Sequence, residues 1–92
     1  MKYFVNISDD AKDDIRKLRK SGDMQALKKL DRLLAELENH PTKGTGKPER
    51  LKHYEGNRWS RRITEKHRLV YEIFEEVILV EVIAAFGHYD DK

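Results

Sequence analysis

The spacing of apolar side chains changes period along the chain, and those changes divide it into elements. Tyr3, Val5 and Ile7 alternate with polar or outward positions, the two-residue period of a first strand. From Ser8 onward the spacing lengthens. Ser8 offers a hydroxyl N-cap, and Asp9 and Asp10 place carboxylates in the first helical turn, where the helix dipole favours them. Ala11, Ile15 and Leu18 share one face of that helix. Ser21-Gly22-Asp23 interrupts it, and Asp23 can cap a second helix. There Leu27, Leu30, Leu34 and Leu37 recur at three and four residues, an amphipathic stripe. His40-Pro41 ends the helix, because the residue before a proline avoids the helical region. The pair predicts a helical hairpin whose apolar face must cover another layer.

Thr42 to Arg50 reads as a loop with two glycines and a proline, and beyond it the period returns to two. Leu51–Tyr54, Arg58–Thr64, Arg68–Phe74 and Val77–Ala85 predict four strands. Glu55-Gly56-Asn57, Glu65-Lys66-His67 and Glu75-Glu76 read as tight connections, which favour antiparallel neighbours. The apolar run of Val77–Ala85 places the last strand near the centre of the sheet. The predicted fold is α+β over residues 1–92 as one domain: an N-terminal strand, then a two-helix hairpin packed on one face of a mostly antiparallel sheet.

Parity within the strands assigns faces. Trp59, Arg61 and Ile63 point one way, and Ser60, Arg62 and Thr64 the other. Leu69, Tyr71 and Ile73 mark the core side of the next strand, so Arg68 and Glu72 face away from the helices. With Ile63 in the core, Arg62 and Arg68 share the open face, where two guanidiniums suit a phosphate.

Composition narrows the chemistry. A chain of 92 residues fits one small domain with a limited core. The absence of cysteine excludes disulfides and thiolate metal sites, and suits a reducing cytoplasm. Met1 to Val5 is too short and too quickly polar for a signal peptide, and no apolar run approaches a membrane span. His40, His53, His67 and His88 are scattered without metal-ligand spacing, so neither metal nor cofactor is expected. Gly44-Thr45-Gly46-Lys47 lacks the full phosphate-loop pattern, and no strand precedes it. The net charge is only +2, but its distribution is uneven. Thr42 to Arg68 holds nine Lys or Arg against three Glu, and Leu69 to Lys92 holds six acids against one Lys. A basic block beside an acidic tail points to a polyanion site on one surface.

Cleavage of RNA without a metal needs a base for the 2′-hydroxyl, an acid for the leaving 5′-oxygen and a cation for the phosphoryl oxygens. Glu49 is the one carboxylate of a basic loop that also carries Lys47, Arg50 and Lys52. Arg68 opens a strand, and His88 stands next to Tyr89 near the C-terminus. Residue types alone leave alternatives open. A glutamate among lysines is commonly a surface ion pair, and Trp59 fits a core better than a base-stacking platform. A non-catalytic RNA- or ribosome-binding module would use the same basic face.

Three blocks break that tie. Gly44-Thr45-Gly46-Lys47-Pro48-Glu49-Arg50-Leu51-Lys52-His53 resembles the GxGKPExLKH loop of the YoeB/Txe toxins, within the RelE-like superfamily. The stretch from Trp59 to Tyr71, WSRRITEKHRLVY, resembles that family's WSRRITxxHRLVY block, and His88-Tyr89 its C-terminal HY. The resemblance implies a RelE-like fold and translation-dependent cleavage of mRNA in the ribosomal A site. By position, Glu49 corresponds to the family's general base, Arg68 to its phosphate-stabilising arginine and His88 to its general acid. Lys52, Arg62 and Tyr89 match positions tied to substrate binding or site architecture. The resemblance also implies a cognate antitoxin, homodimerisation, and contact with operator DNA only through the antitoxin complex. The competing expectation is a non-catalytic RNA- or ribosome-binding protein, or a structural partner in a repressor complex.

Overall fold

Both helices begin where a short polar side chain meets the free N–H groups of a first turn. Ser8 Oγ accepts from the Ala11 N–H at 3.1 Å, and an Asp23 carboxylate oxygen accepts from the Ala26 N–H at 3.1 Å. The computed structural model describes residues 2–87. In chain order they form β1 (Phe4–Ile7), α1 (Asp9–Lys20), α2 (Met24–Leu37), β2 (Glu49–Arg50), β3 (Arg58–Arg62), β4 (Arg68–Phe74) and β5 (Leu79–Ala84).

The strands make one sheet in the order β1-β5-β4-β3-β2. All neighbours are antiparallel except β1 and β5, which run parallel with Phe4 opposite Leu79 and Ile7 opposite Val82. The helical hairpin is the crossover between β1 and the rest. Its buried face (Ala11, Leu18, Ala26, Leu30, Leu33 and Leu37) joins Ile63, Leu69, Tyr71, Ile73, Val80, Val82 and Ala85 in one core. Each fully buried leucine there contributes roughly 1.5–3 kcal/mol. Leu27 and Leu34 of the predicted stripe pack at its margin, and Leu33 lies in its centre. Trp59 packs half-buried against the same core. The expected α+β architecture, the helix caps and the interior place of the last strand all hold, since β5 lies between β1 and β4.

Three predicted boundaries need correction. Leu51–Tyr54 is not a strand. The ladder instead uses Glu49 and Arg50, which the sequence placed in a loop, and ends as the Leu51 N–H donates to the Arg58 carbonyl at 2.8 Å. Residues beyond Leu51 then turn back toward β3, so the alternation there marks a single buried leucine rather than a pleat. Strand β3 stops at Arg62 instead of Thr64, because the Ile63 and Thr64 N–H groups both turn onto the His67 carbonyl. The run Val77–Ala85 begins as a strand only at Leu79. Glu75–Val77 is a single 3₁₀ turn, and Ile78 takes the left-handed conformation at φ 52°. An apolar run carries no period at its first two residues, so hydropathy cannot distinguish turn from strand there.

Candidate nucleic-acid site

Register decides which side chains meet. Glu49 on β2 pairs directly with Ser60 on β3, and Ser60 pairs with Val70 on β4. Two residues along, Arg62 on β3 pairs with Arg68, the first residue of β4. Directly opposed residues of an antiparallel pair project to the same side, as do residues two apart in one strand. Glu49, Ser60, Arg62 and Arg68 therefore share the sheet face turned away from the helices. Glu49 and Arg62 are exposed, Arg68 is half-buried, and Ser60 is buried beneath them. Arg68 Nη1 donates to Ser60 Oγ at 3.4 Å, which draws the guanidinium toward the position opposite Glu49. Two strand spacings separate β2 from β4, about 10 Å, a gap of the size a phosphodiester and its ribose can fill. Lys52 follows in the exposed turn after β2.

Parity thus places Arg62 and Arg68 together, as the sequence predicts. His88 and Tyr89 lie outside the described residues. The residue before them does not: the Arg68 N–H donates to the Gly87 carbonyl at 3.1 Å, and the Gly87 N–H donates to His67 Nδ1 at 2.9 Å. The His67 ring also lies against Phe86, with centroids 4.2 Å apart.

The nine cations from Thr42 to Arg68 do not all serve a surface. Arg58 is bound by Glu72 at 3.0 Å and lies over the Tyr54 ring. Arg61 is fully buried on the helix side. Its Nε donates to the Tyr71 hydroxyl at 3.1 Å, and Nη1 donates to Glu36 Oε1 at 2.8 Å and to the Thr45 carbonyl at 3.4 Å. Nη2 donates to the Lys43 carbonyl at 2.8 Å and to the His40 carbonyl. Glu36 also accepts from the Thr45 N–H at 2.8 Å and from its hydroxyl at 2.6 Å. Burial pushes the Glu36 carboxyl up, but the two Thr45 bonds and the Arg61 guanidinium more than reverse this and hold it below the ordinary glutamate value. Burial raises the Tyr71 hydroxyl, with Arg61 opposing; it stays protonated and donates to the Pro41 carbonyl at 2.5 Å. A charge count assigns Arg61 to the surface. Parity with Trp59 and Ile63 is the signal that could have placed it inside.

Comparison with known proteins agrees with this architecture over nearly the whole chain. Residues 7–89 match the family model described as the YoeB-like toxin of bacterial type II toxin–antitoxin systems. Toxin YoeB of Escherichia coli K12 is 45% identical over 58 residues, spanning 63% of this chain and 69% of that protein. A YoeB/ParE toxin structure from Agrobacterium tumefaciens superposes with a TM-score of 0.82 at 32% identity, covering 94% of this chain and 99% of that one. A heterotetrameric YoeB–YefM toxin–antitoxin complex from Staphylococcus aureus contains a chain that superposes at 0.75 with 29% identity, covering 97% and 100%. With the family model matched over residues 7–89 and the fold superposing over nearly its full length, the chain belongs to the YoeB-like toxins of bacterial type II toxin–antitoxin systems.

Proposed function

We propose that this chain is a metal-independent endoribonuclease that cleaves mRNA in the ribosomal A site, in the cytoplasm, by attack of a ribose 2′-hydroxyl on the adjacent phosphate. The observation that carries the reading is the row formed by Glu49, Ser60 and Arg68 on one sheet face. Glu49 takes the 2′-hydroxyl proton. The 2′-oxygen then bonds to phosphorus, the bond from phosphorus to the 5′-oxygen breaks, and His88 delivers a proton to that leaving oxygen. Arg68 stabilises the charge that builds on the phosphoryl oxygens, with Arg62 beside it. Lys52 and Tyr89 bind or orient the strand. Arg61 has no part at the phosphate, because its five bonds are all internal.

The partner in this reading is a cognate antitoxin, acidic and disordered before binding, that covers the face carrying Arg62 and Arg68. Its support is the basic segment together with the antitoxin bound to the Staphylococcus aureus relative.

The ends of the RNA products test the mechanism. Cleavage on programmed ribosomes should leave a 2′,3′-cyclic phosphate or 3′-phosphate upstream and a 5′-hydroxyl downstream, and Glu49→Gln should slow it by about two to four decades. A 5′-phosphate with a 3′-hydroxyl would sink the 2′-hydroxyl route. Ribosome binding without any cleavage would leave a non-catalytic module in its place.

A further inference from the structure

Between α2 and β2 the backbone makes a path that local sequence alone would not hold. Gly44, Gly46 and Lys47 have φ of 119°, 84° and 51°, and Pro48 and Glu49 follow directly. Positive φ at a residue with a side chain, such as Lys47, persists only where the surroundings over-determine it. Here the surroundings are tight. A Cβ at Gly44 would lie 2.4 Å from Glu36 Oε1, and one at Gly46 would lie 2.9 Å from the Arg62 carbonyl. The Gly46 carbonyl accepts from the Arg62 N–H at 2.7 Å, which joins the loop to the edge of β3. Inside the curve, the carbonyls of His40, Lys43 and Thr45 all converge on the Arg61 guanidinium, and Glu36 grips both the backbone and the hydroxyl of Thr45.

We infer that Arg61, Glu36 and Thr45 form a clasp that sets the position of Glu49, acting through the backbone of residues 44–48 without touching RNA. Strand β2 is only two residues long, so its ladder cannot orient Glu49 by itself, and the clasp supplies the second point of attachment. The three are positioning residues, and the inference rests on reading Glu49 as the base. It also accounts for a buried arginine held by a half-buried carboxylate, neither of which the proposed chemistry uses.

Hydrogen exchange and cleavage kinetics on the full chain test it together. Arg61→Ala endangers folding, so the informative variants are Thr45→Val and Glu36→Gln. In each, exchange at the amides of residues 45–47 and 49–51 should quicken by about tenfold or more while β4 and β5 keep native protection. Unchanged exchange in that segment, or equal quickening throughout the sheet, overturns the clasp. In ribosome-dependent cleavage, Thr45→Val should lower kcat by about 10- to 100-fold with KM nearly constant, as small misplacement of a catalytic group does. The same substitution should add no further loss in a Glu49→Gln background, since the clasp acts only through that side chain. An additive loss there overturns the positioning role. A native chain that cleaves no RNA sinks the endonuclease reading, and the exchange measurement still decides whether the clasp holds the loop.

Discussion

His67 holds the end of the described chain: its Nδ1 accepts the Gly87 N–H at 2.9 Å, one residue before His88. The neighbouring Arg68 N–H donates to the carbonyl of the same glycine at 3.1 Å. The stretch leading to the proposed acid is thus tied to the strand start that carries the proposed phosphate ligand. His67→Ala should lower cleavage by about tenfold through loss of this positioning, and His67→Asn, whose side-chain oxygen can still accept, should recover part of it. Cleavage rates with Gly87 amide exchange measured in parallel check this. Full activity in His67→Ala would remove the idea.

A second expectation concerns acid. Unfolded, Glu36 titrates near the ordinary glutamate value of about 4.3. Folded, it lies lower, because Thr45 and Arg61 outweigh the opposing effect of burial. The stability it contributes is therefore present above the ordinary value and is lost as pH falls through the folded one. Urea midpoints of the native chain should drop more steeply between about pH 5 and pH 3 than those of Glu36→Gln. Parallel profiles would show that the carboxylate contributes nothing to acid sensitivity.

Removing Arg61 should be severe. Arg61→Met leaves the half-buried Glu36 carboxylate without its cation and strands the carbonyls of His40, Lys43 and Thr45. Breaking such a pair typically costs about 3–5 kcal/mol. Arg61→Lys should also lose much of this, since one ammonium cannot reach acceptors arranged around a planar fork. Equilibrium denaturation measures both, and a loss below 1 kcal/mol for Arg61→Met would contradict the network described.

Cations in the basic segment should differ sharply in importance. Arg68→Ala should reduce cleavage by about 10²–10³-fold, the scale expected when a group stabilising transition-state charge is removed. Lys43→Ala should change it little, because Lys43 has an exposed side chain and contributes its backbone carbonyl to Arg61. Similar losses in both would mean that diffuse charge, rather than placement, governs the reaction.

What the sequence determined by itself is what depends on near neighbours. Ser8 and Asp23 cap helices because a side-chain oxygen reaches a backbone N–H three residues on, a contact complete within one turn. The two-residue period of β3 and β4 placed Arg62 and Arg68 on one face and turned Arg61 to the other, because side-chain direction in a strand alternates whatever lies beyond it. Tertiary structure decided the rest. The parallel pairing of β1 with β5 joins residues more than seventy positions apart, and no local period encodes it. Glu49 and Arg50 became a strand only because β3 presented an edge to them, and Val77 and Ile78 became a turn despite their hydropathy. Arg61 shows the reason most directly. A guanidinium can be buried only where acceptors surround it, and those acceptors come from α2, the following loop and β4. Charge reads as surface in a linear chain, and it reads as core only once the fold has gathered its partners.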